Sequence, residues 1–319
     1  MFYPLLKFYA RFAIRFYCTR IIVNKPELLK QKGPLLLACN HPNSFLDGMI
    51  LTTLFDQPLH SLARGDAFKN KFVRKILYNI RLLPVYRTSE GVENLEHNYT
   101  TFAACQETFR KAENVLIFSE GRCINEWHLR PLKKGTARLA LTAWKNHTPL
   151  TVIPTALNYS SFRKFGKEVH IFFGEALDEE NILKEPTEGR QLLGFNEALN
   201  EQLQEMVYEI APGDQSKRKK IFSIGIKPNF YFLLLPAIAG WLLHIPLYLP
   251  ILLFTRYRFR ESGHYDSVLT SLLLLSYPFY WLLLSFIAGI YGVAWGLLMF
   301  LALPITAWCC IRAKYHLDV

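Results

Sequence analysis

Cysteine is scarce: six in 319 residues, and none at a metal-binding spacing. Cys39 belongs to an apolar run and Cys309-Cys310 to a membrane-like segment, while Cys18, Cys105 and Cys123 stand alone. These read as buried thiols in a reducing compartment and exclude a disulfide framework. No His, Asp or Glu stands where it would complete a metal site around His41 and Asp47, so no metal or other cofactor is expected. The N-terminus lacks the continuous apolar core of a secretory signal, because Lys7, Arg11, Arg15 and Arg20 interrupt it. No DNA- or RNA-binding motif occurs, and the basic residues are scattered, so nucleic acid is not an expected partner. Acidic residues are in deficit, 26 against 37 Lys and Arg, for a net charge of +11. Positive charge beside long apolar segments points to a bilayer surface.

Apolar residues are abundant, at 51% hydrophobic and 14% aromatic, and unevenly spread. Three regions result. Residues 1–24 carry aromatics interleaved with cations, the pattern of an amphipathic helix at a membrane interface, or of a helix packed on the protein's own core. Residues 25–215 read as a globular domain. Residues 216–319 form a membrane region, introduced by the basic cluster Lys217-Arg218-Lys219-Lys220. In it, residues 268–287 and 290–311 read as spans. Residues 229–254 are apolar and uncharged but contain Pro236, Pro246 and Pro250, with basic flanks on both sides. The positive-inside rule then favours a re-entrant hairpin bent at His244–Pro246, with a simple third span as the alternative. The same rule puts the globular domain on the cytoplasmic side.

Within the globular region, apolar runs alternate with helical periodicity. Strands are expected at Leu35–Cys39, Leu59–Arg64, Leu82–Tyr86, Val115–Ser119, Leu150–Leu157 and Val169–Phe173. Helices are expected at Phe45–Phe55, Phe68–Arg81, Val92–Lys111 and Gly135–His147. Alternation of this kind predicts an α/β layered domain with a largely parallel mixed sheet flanked by helices, whose strand ends share a crevice.

One stretch organises the chemistry. Leu35–Cys39 runs into the turn formers Asn40-His41-Pro42-Asn43-Ser44, and helical periodicity starts at Phe45. His41 therefore sits in a strand-to-helix turn, with Asp47 one helical turn away. An imidazole with a carboxylate beside it is a general base with its orienting partner. Ser44-Phe45-Leu46-Asp47 also fits a capping box, in which Asp47 only ties off backbone N–H groups. Both readings stand on these residues alone. Further along, Phe118-Ser119-Glu120-Gly121-Arg122 follows a strand. Arg130-Pro131-Leu132-Lys133-Lys134-Gly135 precedes a helix, a combination suited to phosphate.

Taken in order, Asn40-His41 to Asp47, Gly65-Asp66 to Pro84-Val85-Tyr86-Arg87, Phe118-Ser119-Glu120-Gly121, Lys134-Gly135-Thr136-Ala137 and Val152-Ile153-Pro154 resemble the glycerophospholipid acyltransferase family, over roughly residues 1–210. The resemblance implies transfer of a fatty acyl group from acyl-CoA or acyl-carrier protein, as a thioester substrate, to a glycerophosphate acceptor. It implies His41 as general base, Asp47 as its orienting partner, and Arg87 as a phosphate ligand. Glu120 and Gly121 inherit a role in acceptor binding. Two departures stand out. Five residues separate His41 from Asp47, one more than the family pattern, a spacing that resembles some glycerol-3-phosphate acyltransferases and predicts a bulged turn. Ser119, Arg122 and Cys123 replace the usual residues of the Glu-Gly block, leaving Arg122, Arg130, Lys133 or Lys134 to supply a second phosphate contact. The expected acceptor is 1-acylglycerol 3-phosphate. Glycerol 3-phosphate is the alternative, and a non-catalytic lipid-binding membrane protein of the same fold is the other reading.

Overall fold

The computed structural model describes residues 2–86, 96–222 and 230–317. Seven strands form one sheet: β1 (Cys18–Val23), β2 (Leu35–Cys39), β3 (Leu59–Arg64), β4 (Leu82–Val85), β5 (Asn114–Phe118), β6 (Thr151–Tyr159) and β7 (Lys167–Phe173). Their order across the sheet is β1-β7-β6-β2-β5-β3-β4. Every neighbouring pair is parallel except β6 with β7. The sheet is thus mixed and mostly parallel, as the strand–helix alternation requires.

β2 lies at the centre, and its five residues LLLAC are all buried. Side chains alternate across a strand, so one apolar run feeds two cores. Leu36 and Ala38 point to a layer built from α4 (Glu96–Arg110), α5 (Lys134–Lys145) and α7 (Glu188–Met206). Leu35, Leu37 and Cys39 point to the opposite layer, with α1 (Phe2–Tyr17) and α2 (Phe45–Leu54). α3 (Lys71–Asn79) precedes β4, and the short helices α6 (Glu179–Leu183) and α8 (Gln215–Ile221) complete the domain.

The structure corrects the sequence reading at both ends of the chain. The N-terminal helix stops at Tyr17 rather than near residue 24, and Cys18–Val23 adds to the sheet edge beside β7. Thr19, Ile21, Ile22 and Val23 are β-branched and suit a pleated edge, but the aromatic–cation pattern before them masked the change. α1 itself has two faces. Ala10, Ile14 and Tyr17 are buried, whereas Leu5, Phe8 and Phe12 are exposed. It therefore packs on the domain with one face and presents an apolar face outward.

Near the C-terminus, α9 (Phe230–Phe259), α10 (Tyr265–Ile290) and α11 (Val293–Leu317) are each long and apolar enough to cross a membrane. The turn expected at His244–Pro246 is absent. α9 runs on as helix through Pro236, Pro246 and Pro250. Side chains add hydrogen bonds to carbonyls in this stretch, His244 Nδ1 with the Gly240 oxygen at 2.6 Å and the Tyr280 hydroxyl to that of Leu243 at 2.5 Å. Proline is tolerated in apolar helices packed among neighbouring helices. The first turn of α10 lies against α2, a placement no local pattern announced.

Candidate active site

The parallel register of β2 with β5 pairs Cys39 with Phe118. The loops that leave these two strands therefore begin side by side at the carboxyl edge of the sheet, where such folds place their sites. The Ser119 N–H donates to the Cys39 carbonyl at 2.7 Å and continues the ladder by one residue. The His41 N–H then donates to Glu120 Oε2 at 2.8 Å. Two sequence blocks 79 residues apart are thus joined through the backbone of the histidine itself.

Asp47 reaches His41 across the longer spacing. His41 Nδ1 is 2.8 Å from Asp47 Oδ2. The same oxygen accepts from the Asn43 N–H at 2.8 Å, and Oδ1 accepts from the Tyr159 hydroxyl at 2.6 Å. One fully buried carboxylate therefore both orients the imidazole and ties off backbone at the helix start. The capping box proper is not formed, since Ser44 makes no side-chain cap. With Nδ1–H donated to Asp47, Nε2 keeps its lone pair. No hydrogen bond engages Nε2 among the described residues. Phe118 stacks on the ring at a centroid distance of 3.8 Å and fixes its plane.

The extra residue is absorbed by a distorted turn. Ser44 has φ 54° and ψ −134°, a conformation costly for a residue with a Cβ. Partners hold it on several sides. The Ser44 N–H faces Cys123 Sγ at 2.9 Å, and its hydroxyl lies 2.6 Å from His264 Nδ1. Asn125 Nδ2 donates to the Pro42 carbonyl at 2.7 Å.

Glu120 is buried, and both its oxygens receive backbone N–H groups, from His41 and, at 3.0 Å, from Arg130. Burial raises its carboxyl above the ordinary range, and those two N–H groups pull it back. Gly121 has φ +68°, and a Cβ there would come within 3.0 Å of Lys133 Cγ, so the turn calls for glycine twice over. Replacing Glu120 with Ala orphans two half-buried backbone donors. The expected result is a loss of about 2–4 kcal/mol in domain stability, read as a lower thermal midpoint, whereas Glu120→Gln retains part of it.

The candidate cations separate into groups. Arg122, directly after Gly121, and Lys133 and Lys134, at the start of α5, are exposed. Arg130 is ion-paired with Glu126. Arg87 lies outside the described residues, just past β4. Sequence reasoning missed Tyr159, Phe118 and the contacts from α10. Tyr159 ends β6 as an ordinary apolar–polar strand residue, and only the fold brings it to Asp47.

A mostly parallel sheet with a buried carboxylate behind a histidine at its carboxyl edge defines a class of transfer and hydrolytic sites. The comparisons narrow that class. The family model described as Acyltransferase matches residues 20–158. The chain is 25% identical over 186 residues to the 1-acyl-sn-glycerol-3-phosphate acyltransferase of Bacillus subtilis (strain 168), covering 58% of this chain and 86% of that protein. The crystal structure of the 1-acyl-sn-glycerophosphate (LPA) acyltransferase, PlsC, from Thermotoga maritima superposes with a TM-score of 0.45 at 15% identity, over 65% of this chain and 81% of that one. By the first two findings, residues 20–158 match the Acyltransferase family, and the protein is an acyltransferase.

Proposed function

We propose that the protein is a membrane-bound enzyme that acylates 1-acylglycerol 3-phosphate to phosphatidate, with acyl-CoA or acyl-carrier protein as donor. The observation that carries this reading is the 2.8 Å contact of His41 Nδ1 with a fully buried Asp47, which leaves Nε2 open. In the reaction, Nε2 removes the proton from the acceptor hydroxyl as its oxygen attacks the thioester carbonyl. The C–O bond forms, and the imidazolium is stabilised by Asp47. Collapse of the tetrahedral intermediate breaks the C–S bond, and the thiol leaves with the proton returned from His41. No acyl-enzyme and no cofactor take part.

The acceptor phosphate is assigned to exposed Arg122, directly after Gly121, and to Lys133 and Lys134 at the α5 start, together with Arg87. A helix N-terminus and nearby cations both favour an anion. Arg130 contributes its backbone to the Glu120 clamp, with its guanidinium engaged by Glu126. Glu120 serves in this reading by holding the His41 turn. An apolar cavity of about 820 Å³ between α1 and helices α9, α10 and α11 also reaches Met49, on the same helix as Asp47. It supports a substrate with long acyl chains. The exposed apolar face of α1, the three apolar helices and the basic cluster Lys217–Lys220 support a bilayer partner with the domain on the cytoplasmic side.

The five-residue spacing keeps glycerol 3-phosphate as the second acceptor to test. Purified protein in lipid–detergent micelles is given palmitoyl-CoA with each acceptor in turn, and radiolabelled products are counted. Phosphatidate from 1-oleoylglycerol 3-phosphate, at a kcat/KM at least about tenfold above that for glycerol 3-phosphate, is the expected result. A preference for glycerol 3-phosphate would reassign the acceptor. Transfer to neither would sink the reading.

A further inference from the structure

The contacts behind the catalytic turn come from the opposite end of the chain. Asp266, in the first turn of α10, accepts from Asn43 Nδ2 at 2.8 Å through Oδ2. That oxygen also receives Lys167 Nζ, from the start of β7. Ser267 Oγ bonds the Asn43 carbonyl at 3.2 Å and lies 3.4 Å from the Leu46 N–H, and His264 holds the Ser44 hydroxyl. Asn43, Asp266 and the Lys167 side chain are all fully buried. Contacts to Asn43, Ser44 and Leu46 therefore come from the N-cap and first turn of a membrane-type helix, and they fall within the stretch between His41 and Asp47.

We propose that the first turn of α10 is a positioning element of the active site: Asp266, with Lys167 as its counter-charge, holds Asn43 and thereby the turn that sets His41 against Asp47. The inference rests on the acyltransferase reading given above for its kinetic arm. Two arguments support it. First, a buried lysine–aspartate pair contributes little stability compared with an apolar pair of similar volume, so its use here is better explained by the geometry it specifies. Asp266 Oδ2 serves both the lysine and the turn, and an apolar pair could serve neither. Second, the pair is joined to the other side of the site. Lys167 Nζ sits 5.8 Å from the centre of the Tyr159 ring, and the Tyr159 hydroxyl donates to Asp47. Burial lowers the lysine's pKa, and the Asp266 and Asp47 charges oppose that shift. The ammonium thus contacts the buried carboxylate on α10 and is also attracted by that of Asp47, which is catalytic in the proposed reaction.

The test uses the full chain in micelles. Asp266→Ala is expected to lower kcat about 100-fold with both KM values within about threefold of wild type, because a displaced turn misaligns the base without removing a substrate contact. In a double-mutant cycle, Asn43→Ala with Asp266→Ala loses no more than the worse single variant, since both break one link. The Lys167→Met, Asp266→Leu double variant removes the buried charges and keeps the fold, as an unchanged thermal midpoint establishes, yet loses kcat like Asp266→Ala. A readout free of activity is hydrogen–deuterium exchange: the peptide spanning residues 40–54 exchanges faster in Asp266→Ala, and that of residues 151–159 does not. Should the wild type prove inactive, the functional reading fails and the exchange arm still decides the positioning claim. A folded Asp266 variant with wild-type kcat, additive losses in the cycle, or unchanged exchange at residues 40–54 would each overturn the proposal.

Discussion

His41→Ala is expected to abolish acyl transfer, with kcat falling by about three orders of magnitude, the middle of the range for a general base. The argument is geometric. Asp47 fixes the Nδ1 tautomer, Phe118 fixes the ring plane, and Nε2 is left as the basic atom. Alanine removes that atom together with the Nδ1 contact to Asp47 and the stacking on Phe118, but it leaves the backbone in place. Glu120 still binds the backbone N–H of residue 41, so the turn retains its anchor. Binding of both substrates is therefore expected to survive, with KM changed by no more than about threefold, because the base acts on the transition state and not on the ground state. Steady-state rates at saturating palmitoyl-CoA check this, alongside a thermal melt to establish folding. Activity within about tenfold of wild type would remove His41 from the reaction.

The second large effect is at Asp47. Asp47→Asn is expected to lower kcat by about 100- to 10,000-fold while leaving the fold nearly intact. The carboxylate faces three donors: His41 Nδ1–H, the Asn43 N–H and the Tyr159 hydroxyl. An amide can place its oxygen where Oδ2 stands and its NH₂ toward the Tyr159 oxygen, which can rotate to accept. The geometry then survives but the negative charge does not, and the imidazolium formed in the transition state loses a counter-ion that lies fully buried. Asp47→Ala goes further and leaves three groups without a partner, so destabilisation accompanies inactivity. Comparing the two variants separates charge from structure. Equal stability with equal activity in wild type and Asp47→Asn would reduce Asp47 to a cap.

Local pattern carried much of the fold. The runs at Leu35–Cys39 and Leu59–Arg64 are strands with those same ends, because an apolar run bounded by turn formers has few other options. The helix after His41 begins at Phe45, where periodicity begins. β1 was hidden because a six-residue edge strand follows an aromatic helix without a breaker. The hairpin expected at Pro246 did not form: α9 continues as helix through all three prolines, which an apolar helix packed among neighbouring helices tolerates. In the site, His41, Asp47 and Glu120 were visible because each follows or opens an element with a readable boundary. Tyr159, Lys167 and Asp266 gave no signal. Their importance lies in partners 112, 99 and 223 residues away, and a separation of that size leaves no trace in local periodicity.

By itself, then, the sequence determined the layered α/β domain, the apolar C-terminal helices and the histidine–aspartate block, since all three follow from short-range hydrophobic period and turn chemistry. Only the tertiary structure decided how the longer spacing is accommodated. A turn strained at Ser44 is held by whatever surrounds it, and here that is Cys123 from the loop after β5 and the first turn of α10, brought together by sheet register and helix packing.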